Sequence, residues 1–256
     1  MLMSIEGLVT KSINIGDNNK LISILTKTQG VIYAFINNCK KINSKNLAGT
    51  EIFSYCNFII FKNKEKYCVN EIQVIKQFPE IRQDINRLSL GCYFLELFNE
   101  LVCENQPSED YLRLLLNSLY VLDKNKKDII IIKSVTELRV VSIAGYLPNL
   151  VCCSKCKSLE NKKNFFLFSM SGELECSSCA SKINQDNNIN NKNIKISNGV
   201  LFAMRHIIYS DISKIFSFSI SDDDLLILSK LSENYLLSKT DLNLSSLSYL
   251  KNILRS

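Results

Sequence analysis

With 256 residues, 46% of them hydrophobic and 22% charged, the chain has the ordinary make-up of a globular protein able to bury one large core or two or three small ones. No apolar run reaches the roughly 18–20 residues that a membrane-spanning helix requires. The opening "MLMSIEGLVT" lacks a basic n-region and carries Glu6 early, so a secretory signal is not expected and a cytoplasmic location is.

The net charge of +6 is mild, but it is unevenly spread. Residues 1–80 hold ten Lys against six acids (+4), residues 81–150 eight basic against nine acidic groups (−1), residues 151–204 seven against four (+3), and residues 205–256 six of each (0). A basic excess at the N-terminal end and in the cysteine-bearing stretch permits a polyanionic partner. It is equally what a solvated lysine face would give.

In chain order, residues 4–78 read as short strands. "SIEGLVTKSINI", "KLISILTKTQGVIYAFI", "TEIFSYCNFIIFK" and "YCVNEIQVIKQF" are rich in Ile, Val, Phe, Tyr and Thr. They are separated by turn signals at "GDNN" (16–19), Gly30, Gly49 and "KNKEK" (62–66). About five strands in so short a span suit a small closed barrel, because closure removes exposed edges.

After Pro79 the period changes. Ile81, Ile85, Leu88, Cys92, Leu95, Phe98 and Val102 recur at helical spacing over 80–104. A second helix is predicted after Pro107, with Glu109 and Asp110 in its first turn and Leu112, Leu115, Leu119 and Leu122 as its buried stripe. A third runs over 128–145 and stops at Gly145 before Pro148. Further helices are predicted near 197–209, 222–238 and 243–254; Asp222, Asp223 and Asp224 read as capping and first-turn acids of the middle one. The Asn-rich stretch 183–197, "INQDNNINNKNIKIS", is expected to be a floppy connector.

Five of the ten cysteines, Cys39, Cys56, Cys68, Cys92 and Cys103, are scattered; the other five fall between 152 and 179. Clustered pairs in a cytosolic chain read as metal-binding before they read as disulfides. Cys153-x2-Cys156 and Cys176-x2-Cys179 have the spacing of paired zinc knuckles, each aiming two sulfurs at one ion. Iron is open on ligand type alone, although thiolate tetrahedra are more often zinc. Cys152 is the alternative to Cys153, but only Cys153 repeats the two-residue spacing of the second pair. Between the pairs, "NFFLFSMSGEL" reads as a hairpin turning at Ser171-Gly172, with Phe166 and Phe168 on one face. Four thiolates leave no open coordination position, so a structural rather than catalytic ion is expected.

No other chemistry is evident. The single histidine, His206, lies in an amphipathic helical stretch, and neither a nucleotide cradle nor a nucleophile motif occurs. No catalytic residue is assigned; an enzyme relying only on Asp, Glu, Lys or Tyr stays open. In the barrel, Lys40, Lys41 and Lys45 fall on a loop, and Lys11, Lys20 and Lys27 lie in or beside strands, interleaved with Tyr33, Phe35, Phe53, Tyr55 and Phe58. Cations with aromatic platforms are what a single nucleic-acid strand needs. The alternative is that most of these rings fill the barrel.

The order of a small basic barrel, a helical part, "GYLPNLVCCSKC" and "FFLFSMSGELECSSC" resembles the bacterial recombination mediator family RecO. The match rests on Gly145, Tyr146, Pro148, Leu150, Cys153, Cys156, Phe168, Gly172, Cys176 and Cys179, with "IGDNNKLISILTKTQG", "KKINSKNLAG" and "LSSLSYLKNIL" similar to the family's opening hairpin, basic loop and closing helix. Departures are Asp17 where glutamate is more usual, Lys157 where glycine is common, and the Asn-rich connector. The resemblance implies an α+β fold: an N-terminal OB-fold β-barrel (1–79) for DNA binding, a helical domain (80–148 and, with its connector, 183–256) and an inserted four-cysteine zinc-binding hairpin region (149–182). It implies a non-enzymatic factor of recombinational DNA repair, cytoplasmic and nucleoid-associated. Such a factor binds single- and double-stranded DNA, promotes annealing and works with RecR to load RecA. It also contacts the C-terminal tail of single-stranded DNA-binding protein. Zn2+ would be held by Cys153, Cys156, Cys176 and Cys179, and DNA would be contacted by Lys11, Lys20, Lys27, Lys40, Lys41 and Lys45. A zinc-ribbon transcription or ribosome-associated factor is the competing reading.

Overall fold

The computed structural model describes residues 2–37, 47–63, 66–158, 165–168, 171–183 and 193–254. Lys40, Lys41 and Lys45 lie outside the described residues. The chain forms two compact units, Met1–Lys126 with Leu244–Ser256, and Lys127–Asn243. The predicted helical segment 80–148 is therefore shared between units, and the closing helix belongs to the first.

The first unit begins with five strands, β1 (Leu2–Ile15), β2 (Asn19–Thr26), β3 (Val31–Ile36), β4 (Ser54–Asn63) and β5 (Lys66–Gln77). They close in the order β1-β2-β3-β5-β4, with β1 and β4 completing the ring, as an OB-like barrel requires. All pairings are antiparallel except the seam between β3 and β5, where parallel pairing is confined to Ala34–Tyr67 and Phe35–Cys68. Alternation along the strands sends Ile5, Val9, Ile22, Ile24, Ile32, Ala34, Ile36, Phe58, Ile60 and Ile72 inward. A register shift between Val9 and Lys11 supplies the local bend that a small barrel needs.

Gly30 ends the β2–β3 turn at φ +66°, and a Cβ there would sit 1.8 Å from the carbonyl oxygen of Cys103. Only glycine lets the two backbones come so close. The approach is sealed by Asn105 N–H donating to Gln29 O (2.9 Å), Ser108 N–H to Lys27 O (3.0 Å) and Ser108 Oγ to Thr26 O (2.7 Å).

A 3-10 turn over Pro79–Gln83 leads into α1 (Ile85–Leu101), capped by Asp84, whose carboxylate accepts from Arg87 N–H at 2.8 Å. Then follow α2 (Glu109–Asp123) and, after the chain returns from the second unit, α7 (Ser245–Ile253). Thr10 Oγ1 donates to Asn99 Oδ1 at 2.7 Å, joining barrel to α1. α7 has no side-chain cap of its own at Leu244. Glu96 on α1 does that work: Oε1 accepts from Ser245 N–H (3.3 Å) and Oγ (2.9 Å), and Oε2 from Ser246 N–H (2.9 Å) and Oγ. Burial opposes ionisation of Glu96, but these donors outweigh it and hold the carboxyl below its ordinary value.

The second unit holds α3 (Ile129–Ile143), strands β6 (Phe165–Phe168) and β7 (Glu173–Cys176), the short α4 (Ser177–Ile183), β8 (Asn193–Ile196), α5 (Asn198–Tyr209) and α6 (Asp222–Thr240). Ser221 rather than an aspartate is the N-cap of α6, its hydroxyl accepting from Asp224 N–H, with the three aspartates in the first turn. The three strands order as β7-β6-β8, all antiparallel. Residues 184–192 lie outside the described residues, and over Asn193–Ile196 β8 corrects the expectation of a floppy connector at its end. Its "NIKI" pairs with Phe165–Phe168 residue for residue and buries Ile196 completely, so short alternation outweighed the polar composition around it.

Candidate metal centre

The two cysteine pairs arrive on different kinds of backbone. Cys153 and Cys156 sit on a tight turn in which Cys153 N–H donates to Ser158 O (3.0 Å) and Lys157 N–H to Cys153 O (2.9 Å). Lys157 closes that turn with φ +59°, a left-handed conformation that explains why glycine suits the position. The second pair straddles a strand-to-helix junction. Cys176 ends β7, and Cys179 follows one turn into α4, which points both sulfurs the same way.

The four Sγ atoms lie within 4.8 Å of one another. Cys156 Sγ and Cys176 Sγ are 3.8 Å apart, which matches the ~3.8 Å edge of a tetrahedron built on a metal–sulfur bond of ~2.3 Å. Cys153 and Cys176 are buried, Cys156 is exposed and Cys179 half-buried. Cys152 is not in the cluster.

The protons report the same crowding. Burial disfavours a Cys153 thiolate, yet backbone N–H groups of Cys156, Cys176 and Lys155 outweigh it and bring the pKa down to about 6. Cys176 N–H donates directly to Cys153 Sγ at 3.4 Å. The thiol of Cys179 is pushed up to about 12, first by its contact with Cys176 and then by burial and the neighbouring sulfurs. A site that favours the thiolate of Cys153 and penalises those of Cys156 and Cys179 is a site that a divalent cation would relieve. The donor set and spacing thus fit a four-coordinate thiophilic ion. They leave no vacant position for substrate.

The sheet that carries the site is held from several sides of its own unit. Asn149 N–H donates to Gly172 O (2.8 Å) and Ser154 N–H to Leu174 O (2.8 Å). Arg205 on α5 donates to Leu150 O from Nε (2.9 Å) and a terminal nitrogen (2.7 Å), and to Val151 O (3.0 Å). The buried Tyr235 of α6 donates to Tyr146 O at 3.1 Å. Phe165 and Leu167 form the buried face of β6, and Phe166 is half-buried on the other.

The predicted turn at Ser171-Gly172 is there: Glu173 N–H donates to Ser171 Oγ (3.2 Å), and Gly172 has φ +75°. A Cβ on Gly172 would lie 2.7 Å from the Tyr235 hydroxyl. Gly172→Ala is expected to destabilise the unit by about 1–3 kcal/mol through left-handed strain and overpacking. Gly145→Ala, with φ +93° but nothing within 4 Å of the added carbon, isolates the backbone part. Thermal unfolding of both checks the difference.

Of the predicted DNA-contacting lysines, Lys11 is exposed and makes no ion pair among the described residues. Lys20 meets Glu51 at 2.5 Å and Thr50 Oγ1 at 3.1 Å, and Lys27 meets Glu109 at 2.8 Å. Of the interleaved aromatics, Phe53 and Phe58 are core, Phe35 and Tyr55 half-buried, and Tyr33 is 46% exposed. Tyr55 donates to Glu6 at 2.9 Å, and burial, with Glu6 beside it, pushes its pKa up to about 12. His206 is engaged structurally, with Nε2 2.9 Å from Lys214 O and its ring against Phe218.

Sequence reading missed α4, the junction that sets the second pair, and Tyr235 and Arg205 as supports. A seven-residue helix leaves too little periodicity to find, and the two supports act across long sequence separations. No helix among the described residues is long and apolar enough to cross a membrane.

An OB-like barrel followed by helices, with a four-cysteine cluster able to hold a metal ion set among them, defines a class of barrel-and-knuckle proteins whose barrel type serves oligonucleotide binding elsewhere. The family description "Recombination protein O N terminal" matches residues 1–78, and "Recombination protein O C terminal" matches residues 82–248. The chain belongs to the RecO family. It is 34% identical over 249 residues to the DNA repair protein RecO of Acetivibrio thermocellus, covering 97% of this chain and 96% of that one. It is 33% identical over 178 residues to that of Caldicellulosiruptor bescii (70% and 72% covered) and 30% over 202 residues to that of Alkaliphilus metalliredigens (78% and 81%). Family membership supports a role in DNA repair and recombination.

Proposed function

We propose that the chain is a DNA-binding recombination mediator that makes and breaks no bonds. It binds single- and double-stranded DNA, promotes annealing of complementary strands, and with RecR helps load RecA on strands coated by single-stranded DNA-binding protein, whose C-terminal tail it contacts. The observation that carries this reading is the match to both RecO family descriptions along nearly the whole chain, over a barrel of the oligonucleotide-binding type. Residues 1–79 serve as the DNA-binding barrel, 80–148 and 183–256 as helical scaffold, and 149–182 as the zinc-bearing insertion, in the cytoplasm at the nucleoid.

Structural Zn2+ is held by Cys153, Cys156, Cys176 and Cys179. When bound, it supplies cross-linking of the two knuckles and no reactive position. The barrel lysines neutralise phosphates, so that two strands approach with less repulsion and released counterions drive binding. Lys11 is available as it stands, whereas Lys20 and Lys27 reach phosphate by exchanging Glu51 and Glu109. Lys40, Lys41 and Lys45, outside the described residues, fall in the sequence between β3 and β4.

The test is binding of single-stranded oligonucleotides as a function of salt. The triple change of Lys40, Lys41 and Lys45 to Ala is expected to lower the slope of log K against log salt by about 2, at ~0.7 per single-strand phosphate contact. An unchanged slope removes the loop from the interface; absence of binding at low ionic strength removes the function.

A further inference from the structure

Beside the β3–β5 seam of the barrel lies a pocket of about 410 Å3, lined by Ile32, Tyr33, Lys62, Tyr67, Glu104 and Asn105. It adds a carboxylate and an amide, from Glu104 and Asn105, to the lysines and aromatic rings of the barrel surface. Tyr33 projects outward between the buried Ile32 and Ala34. Tyr67 on β5 is half-buried, its hydroxyl 3.3 Å from Gln29 Oε1, with Lys62 Nζ 5.1 Å from its ring centroid. Two residues along β3 from Tyr33, about 6.6 Å away, Phe35 lies under Lys66 Nζ at 5.6 Å.

The far wall is polar and fixed. Glu104 and Asn105 stand on the segment that Gly30 allows against the β2–β3 turn, pinned by Asn105 N–H to Gln29 O and the two bonds from Ser108. Asn105 has φ +60°, a left-handed conformation that asparagine adopts readily, and its backbone is held there by the bond to Gln29 O. The rim is thus preorganised.

We propose that this pocket receives one unstacked nucleobase of a bound single strand, with preference for a base carrying an exocyclic amine. The inference rests on the DNA-binding reading above and goes beyond it by naming the recognised group. Aromatic rings give any base a stacking surface, and flanking cations take the phosphates on either side. The carboxylate of Glu104 only accepts hydrogen bonds, so it rewards an amine donor such as cytosine N4, whereas thymine offers it a single N3–H flanked by the repelling O4 and O2 carbonyls. A base in a duplex has its edge and faces occupied, so the occupant belongs to single-stranded nucleic acid. The half-buried Phe35, with Lys66 above it, offers the next base the accessible part of its ring as a second platform.

Binding of fluorescently labelled oligo-dC and oligo-dT of equal length is compared for the intact protein, Tyr33→Ala and Glu104→Ala, each checked for an unchanged melting temperature. The intact protein is expected to favour oligo-dC by about fivefold or more. Tyr33→Ala weakens both oligonucleotides by about fivefold or more without changing the salt slope, because stacking releases no counterions. Glu104→Ala abolishes the preference while leaving oligo-dT binding intact or tighter. If the intact protein binds both equally and neither variant alters affinity, the pocket is overturned while the DNA-binding reading stands. If no oligonucleotide binds at low salt, both fall together.

Discussion

Replacing Cys153 with serine is expected to empty the four-sulfur site and to loosen the sheet that carries it. Cys153 is fully buried, receives the Cys176 N–H and has its thiol pKa drawn down to about 6. The serine alcohol of an otherwise identical turn cannot replace a thiolate as a soft ligand. Structural zinc contributes folding free energy on the order of 10–16 kcal/mol in isolated finger peptides. The larger core of this unit shares the task, so several kcal/mol and most of the hydrogen-exchange protection of β6 and β7 are the expected loss. Elemental analysis is expected to give about one zinc per chain for the intact protein, next to none for Cys153→Ser, and an unchanged value for Cys152→Ser. Retention by Cys153→Ser with loss in Cys152→Ser would exchange the two ligands. The pH dependence has a definite sign. In the metal-free protein the depressed Cys153 thiol contributes stability above its unfolded value that is lost as pH falls through about 6; because metal binding needs deprotonated thiols, metal retention also declines on acidification.

Lys133→Ala is expected to cost about 3–5 kcal/mol, unusually large for an exchange of a lysine. Lys133 and Glu137 are 4% and 0% exposed, and Lys133 Nζ lies 2.8 Å from Glu137 and 3.0 Å from Glu233. Ser232 Oγ donates to the other Glu137 oxygen at 2.6 Å. Burial pulls the Lys133 pKa down, but the two glutamates outweigh it and raise it, so the ammonium stays charged. Truncating it leaves the buried Glu137 carboxylate, between α3 and α6, without the ammonium that faces it. Lys133→Met combined with Glu137→Gln removes both charges and is expected to recover much of the loss. Chemical denaturation of the single and double variants measures it; a single variant within ~0.5 kcal/mol of the parent would show that water reaches this cluster.

The difference between these two sites illustrates what the sequence could disclose. Cys-x2-Cys repeated at 153 and 176 is a local pattern with one strong chemical meaning. The barrel strands were readable for the same reason, as β-branched runs cut by Gly16, Gly30 and the 62–66 turn. Lys133 and Glu137 are also four apart, but that spacing normally marks a solvated helix face. Only the packing of α6 over α3 turns the pair into a buried network. Glu96 caps a helix 149 residues away, a relation that no local pattern encodes. Lys20 and Lys27 carried the right charge for phosphate, yet Glu51 and Glu109 beside them came from other elements. β8 was hidden because four alternating residues in an Asn-rich stretch weigh little until Phe165–Phe168 offers them an edge.

Annealing of complementary strands, each coated with single-stranded DNA-binding protein, tests the mediator reading most directly. Addition of the zinc-loaded protein is expected to accelerate duplex formation severalfold with no nucleotide consumed and no strand cut. A folded, zinc-loaded protein that binds the coated strands and leaves the annealing rate unchanged would contradict it.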